Sequence, residues 1–137
     1  MIIGYTSGVF DMLHIGHLNL LRLAREQCDY LIVGVSTDEL CLSYKGKLPV
    51  IPYPERKAIV EALRCVDRVI PQTDRNKCAV WPELHYHKLF VGDDWRGSQL
   101  FSEAEAWLAP RGAKVVYLPY THHVSSSKLR DKILQND

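Results

Sequence analysis

At 137 residues the chain has the length of one compact domain, with room for one core and one site, which excludes two full domains. An apolar fraction of 47% beside a charged fraction of 24% argues against disorder and against a membrane span. Lys+Arg 17 against Asp+Glu 16 leaves no global field to attract DNA or RNA, so any anion has to be bound by a local cluster. The opening MIIGYTSGVFD has no basic leader and its apolar run is short, so a cytoplasmic protein is expected. Cys28, Cys41, Cys65 and Cys78 are far apart and form no Cys-x-x-Cys pair; they read as reduced core thiols.

In chain order, short and nearly continuous apolar runs at Met1–Thr6, Tyr30–Ser36, Arg68–Ile70, Lys88–Val91 and Lys114–Leu118 predict five strands. Continuous rather than alternating apolarity is what a parallel strand covered on both faces requires. Helical patterns fall between them at Leu18–Glu26, Pro54–Arg64, Ser102–Leu108 and Ser126–Leu134, and a helical stub follows the second strand. Pro54 suits a first helical turn, where its missing N–H is not needed. The stretch from Asp74 to Tyr86 is ambiguous because Pro82 interrupts it. This alternation predicts an α/β fold: a single domain, residues 1–137, with a doubly wound, Rossmann-like parallel five-stranded sheet and helices on both faces. Such sheets bind ligands beyond the carboxyl ends of their strands, so the residues following each strand are the candidates.

After the first strand comes Ser7-Gly8-Val9-Phe10-Asp11-Met12-Leu13-His14-Ile15-Gly16-His17. Gly8 permits a tight turn, and Gly16 lets a bulky ligand approach the backbone without meeting a Cβ. His14 and His17, three apart, share one face if the helix begins here, and beside a positive helix N-terminus they form a donor set for phosphate oxygens. The competing reading is that one histidine caps the helix while the other packs. Near the end, Thr121, Ser125 and Ser126 precede the last helix, where hydroxyls and backbone N–H groups make a second phosphate cradle or simply an N-cap. His85, His87, His122 and His123 lack the spacing of a zinc site, and no protein-held metal is expected.

The stretch GVFDMLHIGH resembles the His-x-Gly-His signature of the cytidylyltransferase-type nucleotidyltransferases. HLNLLRLA, DYLIVGVSTDE, the arginine of ERK, RCVD, VGDDWRG, VVYLP and SSSKL make the chain similar to the bacterial glycerol-3-phosphate cytidylyltransferases over almost its whole length. The resemblance implies a reaction in which an acceptor phosphate attacks the α-phosphorus of CTP in line and expels pyrophosphate. Alignment and charge neutralisation matter more in such a step than a protein nucleophile. It implies catalytic roles for His14 and His17 as donors to the α-phosphate and for Lys45 and Lys47 as cations on the triphosphate or acceptor. It places Gly8, Val9, Phe10, Asp11 and Gly16 around the nucleotide, and Arg56 with Lys47 and Asp11 at the acceptor. Arg64 and Asp67 of the RCVD segment would lie at a homodimer contact.

Gly92, Asp93 and Asp94 follow the fourth strand. Without a third ligand nearby, the aspartates suit base and ribose recognition better than a metal, since a carboxylate accepts the exocyclic amine that distinguishes cytosine from uracil. Mg²⁺ is expected to ride on the triphosphate and water. The expected partners are CTP, a phosphorylated small molecule and a second copy of the chain, with no nucleic acid and no membrane. A CDP-linked product would serve a cell-surface polysaccharide or teichoic acid. Three features depart from the glycerol-phosphate branch. Val9 stands where threonine is usual, Tyr-Thr-His-His-Val-Ser replaces Arg-Thr-Glu-Gly-Ile-Ser, and Pro49-Val50-Ile51-Pro52 shifts the spacing after the lysines. An adenylyltransferase of the same fold and a catalytically idle nucleotide-binding module are the alternatives.

Overall fold

A computed structural model describes residues 1–119, 121 and 125–135. Strands β1 (Ile3–Gly8), β2 (Tyr30–Ser36), β3 (Arg68–Gln72), β4 (Lys88–Gly92) and β5 (Lys114–Leu118) form one sheet in the order β3-β2-β1-β4-β5. Every pairing is parallel. The helices are α1 (Ile15–Glu26), α2 (Asp38–Lys45), α3 (Tyr53–Glu61), α4 (Trp81–Leu84), α5 (Gln99–Leu108) and α6 (Ser126–Gln135). The five-stranded, doubly wound α/β architecture expected from the sequence is the one observed. Among the described residues no helix is long and apolar enough to cross a membrane.

The continuous apolarity of the strands is explained by two cores, one on each face. Leu31, Val33 and Val35 of β2 and Phe90 of β4 pack with Leu21 and Ala24 of α1 and Val60 of α3. On the opposite face Ile32 of β2 and Leu89 and Val91 of β4 pack with Tyr5, Tyr86 and with Phe101 and Leu108 of α5. Alternate residues of one strand therefore serve opposite cores, as the two-residue period dictates. Gly34 keeps β2 within this pattern: a Cβ there would lie 2.3 Å from the Tyr5 hydroxyl.

Strand order reverses at β1, which has β2 on one side and β4 on the other. Against β2 it pairs along its full length, from Ile3 opposite Tyr30 to Gly8 opposite Val35. Against β4 it pairs only at Gly4 with Lys88 and Tyr5 with Leu89. Beyond Tyr5 the ladder stops, and the Thr6 hydroxyl donates to the Phe90 carbonyl at 2.9 Å. The carboxyl ends of β1 and β4 thus flank the crevice expected at a topological switch point.

Candidate active site

A cavity of about 960 Å³ opens at this crevice, at the upper end of the range for small-molecule sites. Its walls come from the β1–α1 loop, the ends of β2, β3 and β4, the end of α2, and the start of α6. Five cations line it, Lys45, Lys47, Arg75, Lys77 and Arg130, against three carboxylates, Asp11, Asp74 and Asp94. A nearly neutral chain thereby concentrates positive charge where an anion can enter, as the composition required.

The β1–α1 loop turns sharply through two non-glycine residues with positive φ, Phe10 at 54° and Met12 at 48°. Left-handed backbone at such residues is costly and is retained only where the surroundings fix it. Here the buried Asp11 between them supplies the fixing. Its carboxylate accepts from Val50 N at 2.8 Å and Ile51 N at 2.9 Å, and its backbone carbonyl accepts from the Ser126 hydroxyl. Arg130 lies against the same carboxylate at 3.4 Å. Asp11 therefore joins three segments distant in sequence, using the oxygens that the nucleotide and acceptor roles would have called on.

His14 is the N-cap of α1: its Nδ1 accepts from Gly16 N at 3.0 Å, and His17 Nδ1 accepts from His14 N at 3.1 Å. This is a capping box built from imidazoles instead of a hydroxyl and a carboxylate. Because each Nδ1 is an acceptor, each neutral ring carries its proton on Nε2. Capping and ligand binding therefore use different nitrogens, and the two readings of the motif are compatible. The rings lie 3.9 Å apart between centroids, and Phe10 packs at 5.4 Å from His17. Burial, then the neighbouring His14, draws the His17 pKa down to about 4, with Asp11 opposing; burial also lowers that of His14. Gly16 is needed for the cap itself, since a Cβ there would lie 2.8 Å from His14 Cε1. The space kept open is filled by the imidazole.

Lys45 and Lys47 are exposed on the rim around Gly46, which ends α2 with φ 73°. Gly8, Val9, Phe10, Asp11, Gly16, Gly92, Asp94, Thr121, Ser125 and Ser126 all line the cavity. Asp93 is not among the residues lining it and begins a 3₁₀ turn with Asp94 and Trp95. His122 and His123 fall outside the described residues.

Arg56 sits elsewhere than its expected acceptor role demands. It is 1% exposed and absent from the cavity wall. Its Nε donates to Ile51 O at 2.8 Å; Nη1 donates to Val9 O and Ser36 O, both at 2.7 Å; Nη2 donates to Asp38 Oδ1 at 2.7 Å. Four of the five donors of the fork are taken, three by the carbonyls of Val9, Ser36 and Ile51 and one by the Asp38 carboxylate, which makes Arg56 a staple beneath the site. Asp67 is likewise engaged, accepting from Leu31 N at 2.7 Å and pairing with Arg25 at 3.0 Å, while Arg64 is exposed in the turn after α3.

Sequence reading missed Lys77, which lies in the stretch left ambiguous. Two successive Asx turns follow β3, with Asn76 N donating to Asp74 Oδ1 and Cys78 N to Asn76 Oδ1. They turn Lys77 inward, where its Nζ donates to Ser7 Oγ at 2.5 Å and to Ser7 O at 3.3 Å. Burial, then the nearby Arg75, lowers its pKa to about 8. Arg75 itself stacks 4.3 Å over Tyr44, tying the β3 end to α2. A cation just past a strand end was the available signal.

The family model described as cytidylyltransferase-like matches residues 5–132. The glycerol-3-phosphate cytidylyltransferase of Bacillus subtilis is 40% identical over 129 residues, 93% of this chain and 94% of that protein. That of Staphylococcus aureus is 37% identical over 133 residues, 96% and 95% of the two chains. The bifunctional protein HldE of Yersinia enterocolitica is 33% identical over 93% of this chain but only 27% of its own length. Among solved structures, the lipopolysaccharide core biosynthesis protein of Thermoplasma volcanium superposes with a TM-score of 0.73 at 26% identity, covering 90% of this chain and 99% of that one. With a matched model and relatives that both extend over nearly all of it, the chain belongs to the cytidylyltransferase-like family and is a nucleotidyltransferase.

Proposed function

We propose that this enzyme transfers CMP from CTP to a small phosphomonoester, with glycerol 3-phosphate as the first candidate. The observation carrying this reading is the imidazole pair whose Nδ1 atoms are spent on the helix cap, leaving two Nε2–H donors in a cation-lined crevice. An acceptor phosphate oxygen forms a bond to the α-phosphorus as the bond to the β-phosphate oxygen breaks, and pyrophosphate leaves with that electron pair. His14 and His17 donate to the non-bridging α-phosphate oxygens as they crowd in the transition state. Lys45 and Lys47 on the rim and Ser125 and Ser126 at the start of α6 hold the remaining phosphates.

The acceptor phosphate is assigned to Lys77, with Arg75 beside it, and not to the buried Arg56, four of whose five donors are taken. Asp94 is the candidate acceptor for the cytosine amine. Among the described residues no group of three or more His, Cys, Asp or Glu side chains could hold a metal ion. In this reading Mg²⁺ would be carried by the nucleotide's own oxygens and water, where it would neutralise the triphosphate charge. A homodimer through the turn bearing Arg64 and Asp67 is part of the same proposal.

The test is incubation with CTP or ATP and a panel of phosphomonoesters, following pyrophosphate release and the mass of the product. Release with CTP that depends on the acceptor is expected, falling by about 10²–10³ in His17→Ala, the range for loss of one transition-state donor. Equal turnover with ATP, or near-normal turnover in folded His17→Ala, overturns the reading.

A further inference from the structure

Lys77 is a half-buried cation gripped at both ends by one strand. The loop after β3 carries it past β2 to β1, where its Nζ donates to Ser7 Oγ at 2.5 Å and to Ser7 O at 3.3 Å. Its backbone is fixed too: the Tyr86 hydroxyl donates to the Lys77 carbonyl at 3.2 Å, and the Tyr86 ring stacks on that of Tyr5 at 5.3 Å between centroids. Tyr5 and Ser7, two apart on β1, share one face of that strand. Ser7 suits the place by its size, since its partner on β2 is Gly34, where a Cβ would lie 3.1 Å from Ser7 Cβ.

This grip supplies no negative charge. Among the described residues no carboxylate pairs with Lys77. Asp74, on its own loop, accepts from Asn76 N. The other carboxylates of the two cavities that Lys77 lines are Asp11, Asp94 and Glu103; Asp11 is held by Val50 N and Ile51 N, and Glu103 accepts from Gln99. Tyr5, Tyr86 and Cys78 are pushed up by burial, Tyr5 to about 12, and stay neutral. His14 and His17 are pushed down by burial and stay neutral as well, while Arg75 adds a like charge. An ammonium withdrawn from water and held only by a hydroxyl and a carbonyl lacks a counter-ion, which a phosphate supplies.

We infer that Ser7 is a positioning residue for the acceptor phosphate: its hydroxyl and its carbonyl hold the Lys77 ammonium at the crevice with one N–H left for a phosphate oxygen. Ser7 acts through the lysine, by fixing a flexible four-carbon side chain before the substrate arrives and so lowering the ordering cost of binding. The histidines set the chemical step and the ammonium the acceptor's place, so loss of the Ser7 hydroxyl shows in the acceptor KM. The inference rests on the proposed assignment of the acceptor to Lys77, and a measurement on the ligand-free protein separates the two.

The test compares wild type, Ser7→Ala, Lys77→Met and the double variant. It reads steady-state kinetics with CTP and the phosphomonoester that supports turnover, glycerol 3-phosphate first, and an NMR titration of the lysine ε-carbons without ligand, where Lys77 is the signal missing from Lys77→Met. Ser7→Ala is expected to raise the acceptor KM about tenfold, the order for one hydrogen bond to a charged group, with kcat and the CTP KM within about twofold of wild type. Losing an acceptor favours the neutral amine, so the Lys77 titration and the alkaline limb of kcat/KM both move to lower pH. In Lys77→Met the same substitution adds nothing to the acceptor KM. A merely structural Ser7 would lower the melting temperature and kcat in both backgrounds and leave the titration where it was. An unmoved Lys77 titration, or a wild-type acceptor KM in Ser7→Ala, overturns the inference. If the titration moves but the acceptor KM is that of wild type in both single variants, the grip is real and the acceptor leaves Lys77, taking this role with it. If no phosphomonoester releases pyrophosphate, the transfer reading falls, and the role of Ser7 with it.

Discussion

Replacing Arg56 by lysine separates a buried staple from a substrate ligand. The guanidinium serves Ile51 O, Val9 O, Ser36 O and Asp38 from three nitrogens pointing in different directions, and its side chain is 0% exposed. An ammonium has three donors on one atom, so it keeps the charge opposite Asp38 but leaves at least one buried acceptor, and by geometry two, without a partner. At about 1–3 kcal/mol for each buried group left unsatisfied, the expected cost centres on about 3 kcal/mol. For a domain of this size, with about 3–5 °C lost per kcal/mol, melting should fall by about 10–15 °C. The assay is urea unfolding and thermal melting without ligand, followed by acceptor KM measured well below the new melting point. A KM within about threefold of wild type is expected. Melting within about 2 °C of wild type, together with an acceptor KM raised tenfold, would refute the staple and restore Arg56 to the acceptor.

The His17 pKa is held at about 4 in the folded protein against about 6.5 unfolded. Between those values the unfolded chain binds more protons, so stability is present above pH 6.5 and lost as pH falls toward 4; the slope of melting temperature against pH in that window should flatten in His17→Asn. The Lys77 pKa of about 8 predicts that kcat/KM for the acceptor declines as pH rises through 8, because the free enzyme loses a cation there. Lys77→Gln should lower that parameter and abolish the limb, and an unchanged limb would release Lys77 from the role. Gly34→Ala forces a Cβ against the Tyr5 hydroxyl and should cost about 1–3 kcal/mol in urea unfolding. Adding Tyr5→Phe should recover part of it, and strict additivity of the two changes would show that the clash is not the cause.

Much of this architecture could be read from the amino-acid order. Strands β2 and β5 have the expected ends because both faces of each are covered, which leaves an uninterrupted apolar run with polar punctuation. Helix starts were less legible. α1 begins at Ile15, ahead of the expected Leu18, because a histidine does the capping, and α5 begins at Gln99 because Ser98 accepts from Phe101 N. α3 stops at Glu61 instead of reaching Arg64, and α4 tolerates Pro82 because it falls in the first turn. In the site, the histidine pair announced itself through local spacing. Arg56 and Asp11 did not, since apart from Ile51 O the partners of Arg56 lie 18 to 47 positions away, and the amides that Asp11 accepts from lie 39 and 40 away. Such contacts exist only once the loops converge, and the bare pattern of residue types carries no trace of them.

That every strand is complete by Leu118, with both cores assembled from residues ahead of α6, divides the labour along the chain. Among the described residues, the packed interior is built by the first six-sevenths or so of the chain. Substitutions between 126 and 135 can retune what the crevice accepts at little folding penalty, which makes the final helix the segment where relatives can diverge in chemistry while sharing a scaffold.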